Sequence, residues 1–62
     1  MDKLFNLIIN NIDDVKILLQ EYIDNSEDIV NQLRDENLNS EANNLDKRLD
    51  LADEMIDLLN EI

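Results

Sequence analysis

The apolar positions of this chain fall on two helical stripes that do not share a phase. At the helical period of about 3.6 residues, Phe5, Ile8, Ile12, Val15, Leu19, Tyr22, Ile29 and Leu33 align on one face. A second stripe follows through Ala42, Leu45, Leu49, Ala52, Ile56 and Leu59, displaced by two residues from the first frame. A continuous helical seam absorbs insertions of about three or four residues. The chain therefore folds back on itself, and the pattern predicts an all-α antiparallel helical hairpin: a long helix 1, a loop near residues 37–40, and helix 2 from about 41 to the end.

Local signals fit that layout. Asp2 is placed to cap the first helix, since its carboxylate can accept from the free amides of the first turn. Ser40 followed by Glu41 supplies a cap and an acidic first turn for the second. The segment from Asp24 to Asp28 is the weak point of helix 1. Ser26 occupies the middle of its core stripe, and Asp24 with Glu27 has the spacing of a capping box. Ile29, Val30 and Leu33 nevertheless return in register with the first face, which a continuous or kinked helix preserves. The alternative is a three-helix arrangement broken near Ser26.

Both apolar faces are wide. Leu4, Leu7, Ile9, Leu18 and Ile23 broaden the first, and Leu51, Met55, Leu58 and Ile62 the second. A helix with one neighbour needs only a narrow seam, so one hairpin partner leaves these faces uncovered. Two hairpins in a four-helix bundle cover them, and the expectation is a homodimer. In length and layout the architecture is similar to that of the small RNA-binding hairpin dimer that regulates plasmid copy number. The basic recognition face of that protein has no counterpart here.

Composition narrows the chemistry. Sixty-two residues form one domain, 1–62, at a size where a single core is marginal. The chain has no cysteine and no histidine, so no disulfide or ordinary zinc site is expected, and no cofactor. Glycine and proline are absent as well, which leaves every residue free to enter a helix. The frequent asparagines, with Ile and Asp, suggest an AT-rich coding sequence of phage or mobile-element type. No apolar run approaches the roughly 20 residues that span a bilayer, and the first residues lack the pattern of a secretory signal. A cytoplasmic protein is the expectation. Sixteen acids against five bases give a net charge of −11, which argues against nucleic acid or an anionic membrane as a direct partner.

The acids concentrate on helix 2. Asp46, Asp50, Asp53, Glu54, Asp57 and Glu61 include several pairs four residues apart, where like charges repel by about 0.2–0.5 kcal/mol per pair. Such a face either serves solubility or docks a partner protein with a basic surface. A sharper form of docking is DNA mimicry, since carboxylates one turn apart recur every 5 Å or so against about 3.4 Å per phosphate along a DNA strand. Calcium is disfavoured, because the acids radiate from a helix and no glycine turns a ligand loop. Arg48, close to the second stripe, either snorkels from the core edge or pairs with Glu27, Asp28 or Asp35 across the hairpin. Lys16 reads the same way at the edge of the first face.

Nucleophilic catalysis has little to work with, for Ser26 and Ser40 have no base beside them. The stretch Asp46-Lys47-Arg48-Leu49-Asp50 resembles the last two positions of the Ser-Gln-Glu-Leu-Asp motif of small helical-hairpin phosphatases that act on phosphorylated sporulation regulators. Its first three positions differ, and the resemblance implies only that Asp50 would be the motif's acid. Periodicity alone makes Leu49 core and Asp50 solvated. The sequence thus points to a non-enzymatic interaction module, a regulator or inhibitor that binds or sequesters a host protein. A DNA mimic, a purely structural oligomerisation module and a phosphatase are the competing readings.

Overall fold

Asn11 breaks what the periodicity takes for one long helix. The computed structural model describes residues 2–62 and has three helices, α1 (Asp2–Asn10), α2 (Ile12–Asp35) and α3 (Asn39–Asn60). The two-helix layout is corrected accordingly: the long first helix is two helices. The break falls at Asn11 and not near Ser26, because Asn11 competes with the helix for its own acceptor. In an unbroken helix the Leu7 carbonyl would accept the Asn11 N–H. Here the Asn11 side-chain Nδ2 donates to that carbonyl at 2.9 Å, and the Asn11 N–H turns to the Ile8 carbonyl at 3.2 Å. The residue settles at φ −128°, ψ 32°, and the α2 ladder restarts when Val15 N–H donates to the Asn11 carbonyl at 2.8 Å.

Ser26, by contrast, lies inside an uninterrupted α2 and is 5% exposed. The capping-box spacing of Asp24 and Glu27 is overridden because Ile23 and Val30 on either side are buried against α3. Tertiary burial outweighs the weak local preference.

The turn joining α2 and α3 is shorter than expected and lies one residue earlier. Asn37 adopts φ 63°, a left-handed conformation that asparagine tolerates better than most residues. Its N–H donates to the Arg34 carbonyl at 3.0 Å, and the Leu38 N–H donates to the Leu33 carbonyl at 2.8 Å. That pair of bonds is a Schellman motif with asparagine in the usual glycine position. Leu38 then begins α3 through its backbone carbonyl, which accepts the Ala42 N–H at 3.0 Å. Ser40 is already inside α3 and makes no cap, because the chain enters the helix as soon as the motif closes. Asp2 likewise sits in the first turn of α1.

α2 and α3 pack along their length. The buried and half-buried positions of α3 are Ala42, Leu45, Leu49, Ala52, Ile56 and Leu59; those of α2 include Leu19, Ile23, Ser26, Val30 and Leu33. Both sets alternate steps of three and four, the spacing of a knobs-into-holes seam. Counting about 1.5 Å of rise per residue away from the turn pairs them in layers: Leu33 with Ala42, Val30 with Leu45, Ser26 with Leu49, Ile23 with Ala52, Leu19 with Ile56. In three of these layers a large side chain meets a small one, which lets the axes approach closely. The next layer sets Lys16 against Leu59, and there the seam loosens. α1 bends over at that end, where Ile8 joins Val15, Met55, Leu58, Leu59 and Ile62 around an open cleft of about 180 Å³. The whole measures 42 × 19 × 18 Å.

Candidate functional site

The seam divides the surface of the α2–α3 pair into two unlike sides. On one, Arg34 Nη2 of α2 donates to Asp46 Oδ2 of α3 at 2.5 Å and to Asn43 Oδ1 at 3.2 Å. Beside this pair a second cleft, of about 240 Å³, is lined by Glu27, Val30, Asn31, Asp46 and Leu49. Helical spacing from Arg34 and Asp46 puts Asp13, Asp24, Asp50, Asp53 and Asp57 on this same side. The bases on this side are Arg34, which Asp46 already engages, and Lys16, five turns away on the same line of α2. The exposed Ile17 is the apolar exception here.

The other side is apolar. Leu18 and Tyr22 of α2 lie there with Leu51, Met55, Leu58 and Ile62 of α3, all exposed. Ile29 continues the strip toward the turn, where Asn25, Gln32, Asn44, Glu41 and Arg48 make the same side polar. Arg48 is exposed on this side and does not pair with Glu27, Asp28 or Asp35; the cross-helix ion pair runs instead from Arg34 to Asp46. Lys16 is half-buried in the seam.

The acids marked by the sequence therefore separate. Asp46 is half-buried and ion-paired. Asp50, Asp53 and Asp57 stand exposed on the charged side, while Glu54 and Glu61 project outward between the two sides. Among the apolar positions, Leu49, Ala52 and Leu59 are buried, and Ile8, Ile12, Val15, Leu19, Leu33, Leu45 and Ile56 are half-buried. Phe5, Tyr22 and Ile29 are exposed. Ser26, already on the first stripe, is buried at the centre of the seam, and beside it Ile23 and Val30 are buried one position from Tyr22 and Ile29, through which the stripe runs. Alternating steps of three and four through Leu19, Ile23, Ser26, Val30 and Leu33 are the signal that finds them.

Leu49 is buried and the adjacent Asp50 is exposed. Among the described residues no three acids converge as metal ligands do, and no helix is long and apolar enough to cross a membrane. No protein-family model, curated protein or solved structure matches the chain.

Proposed function

We propose that the chain is a non-enzymatic protein–protein interaction module, a regulator or inhibitor of phage or mobile-element type that works in the cytoplasm by occluding a host protein. It acts as a self-associated helical bundle. The acids turned outward dock on a basic surface of the target. The segregation of charge carries this reading: Asp24, Glu27, Asp50, Asp53 and Asp57 share one side with two bases, of which Arg34 is engaged by Asp46 and Lys16 is half-buried at the seam. Such one-signed sides steer oppositely charged partners and speed encounter more than they add affinity. Residues off the seam carry the docking, so they can be changed without dismantling the fold.

The test is capture from host extract with tagged full-length protein, comparing the wild type with the triple variant Asp50→Asn, Asp53→Asn, Asp57→Asn. The reading predicts that the wild type retains a basic protein and that the variant, with helical circular dichroism intact, loses it. Equal retention by both removes acidic docking. If duplex DNA displaces the captured protein, occlusion takes the form of DNA mimicry. Capture of nothing but the chain itself leaves a structural oligomerisation module.

A further inference from the structure

We infer that a second copy of this chain covers the apolar side, over the half of the α2–α3 pair farthest from the turn. The inference rests on the self-association proposed above and assigns its face and its polarity.

Exposure is the first argument. Leu18 is 67% exposed, Leu51 and Leu58 57%, Ile62 70%, and Tyr22 and Met55 40% each. None of the six belongs to the seam. Two helices facing only each other need apolar residues at the two seam positions of each heptad. A further apolar set on the same flank of both helices is the pattern of helices with two neighbours.

Area is the second. The chain exposes 4978 Å², whereas a folded monomer of 7.3 kDa exposes about 4,200 Å² by the usual scaling of surface with mass. The excess of roughly 800 Å² belongs to a body 42 Å long and 19 × 18 Å across, and covering a standard partner's share of about 800 Å² returns the exposed surface to the ordinary value.

Charge fixes the polarity. Between Val15 and Tyr22 on α2, and from Leu51 to Ile62 on α3, the apolar side carries no ionisable group except the Tyr22 phenol; the nearest acids, Asp14, Glu21, Glu54 and Glu61, form its rim. Nearer the turn the side holds Glu41 and Arg48, and Glu36 lies in the turn itself. Two copies that overlap by the ends far from the turn bury the uncharged half and leave these charged groups in water. The contact is isologous, the same patch on both copies, and Ile8 of α1 borders it beside Met55, Leu58 and Ile62. Because the rims are acidic on both copies, added salt strengthens the dimer by screening them.

Light scattering after size exclusion tests this with the full chain at low and high salt. The wild type is expected at twice 7.3 kDa, with the dimer fraction rising with salt. The double variant Leu51→Glu, Leu58→Glu is expected to run as a helical monomer, since both residues are exposed and neither occupies a seam position, while Ile17→Glu on the charged side stays dimeric. A double variant as dimeric as the wild type overturns the face assignment and leaves self-association standing. A wild type monomeric at both salts overturns self-association itself, and the patch then belongs to a different protein whose apolar surface is rimmed by bases. A larger, open-ended assembly overturns the two-fold contact. Leu58→Cys gives a readout independent of the charged variants: in this cysteine-free chain a short bis-maleimide should link two copies through residue 58 and not through Ile17→Cys. Equal linking at both positions counts against the proposed face.

Discussion

Arg34 on α2 and Asp46 on α3 meet across the seam at 2.5 Å, with side chains 42% and 43% exposed. At that exposure an ion pair contributes little, typically about 0.2–1 kcal/mol, and its two ends are not equivalent. Arg34 also donates to Asn43 and is a base on a side crowded with carboxylates. Arg34→Ala is expected to destabilise the fold by up to about 1 kcal/mol, through the lost pair and the uncompensated acids. Asp46→Asn should lie near zero, because removing one acid relieves what the lost pair costs. Urea unfolding of both variants measures this. A larger loss for Asp46→Asn than for Arg34→Ala would contradict it.

Ser26 owes its place in the seam to its size. It lies level with Leu49, and a larger side chain at that layer meets one that already fills the space. Ser26→Leu, which would look like a repair of the apolar stripe, is expected to cost about 1–3 kcal/mol through overpacking. Ser26→Ala keeps the volume and should change stability by much less. Denaturant midpoints at unchanged slope decide the matter. A stabilised Ser26→Leu would show that the layer is open and that α2 and α3 are farther apart than the layered pairing implies.

These two residues also mark how far the sequence reveals its structure. On α3 no apolar residue competes with Ala42, Leu45 and Leu49 in the first half of the helix, so the seam has one line, on through Ala52, Ile56 and Leu59, and that is the side turned to α2. On α2 the apolar arc is broad, so a line through Tyr22 and Ile29 fits the period as well as one through Ile23 and Val30. Only the polar Ser26 separates them, and polarity there suggests a break when size is what counts. The break at Asn11 had no signal of the ordinary kind, since neither glycine nor proline is present. It depends on which donor reaches the Leu7 carbonyl. The exposed acids at Asp50, Asp53 and Asp57 were legible because charge follows the face opposite burial. Which of them a neighbouring helix neutralises was not, because that depended on Arg34 reaching across.

Asn37 carries the turn. At φ 63° a residue with an ordinary Cβ pays about 1 kcal/mol or more in steric strain, while asparagine pays less and glycine least. Asn37→Ala is expected to destabilise by about 1 kcal/mol, and Asn37→Gly to be neutral or slightly stabilising. Thermal melts of the three proteins at one concentration give the order Gly at or above Asn, and Asn above Ala. An alanine variant equal to wild type would place the left-handed residue elsewhere in the turn.

Asn11 makes the most direct prediction about shape. Its side chain holds the Leu7 carbonyl at 2.9 Å, so Asn11→Ala removes the competing donor and installs the strongest helix former at the break. With the carbonyl free to take the residue 11 N–H, α1 and α2 are expected to run on as one helix. Ile8 then leaves the cleft it shares with Leu58 and Ile62, and Leu4, Phe5 and Leu7 swing outward along the axis of α2. Two measurements follow this. Helical ellipticity should rise, and the distance between spin labels at Leu4→Cys and Ile62→Cys in one chain should lengthen. If the distance stays fixed when Asn11 is alanine, packing of Ile8 in the cleft holds the bend, and the side-chain hydrogen bond merely accompanies it.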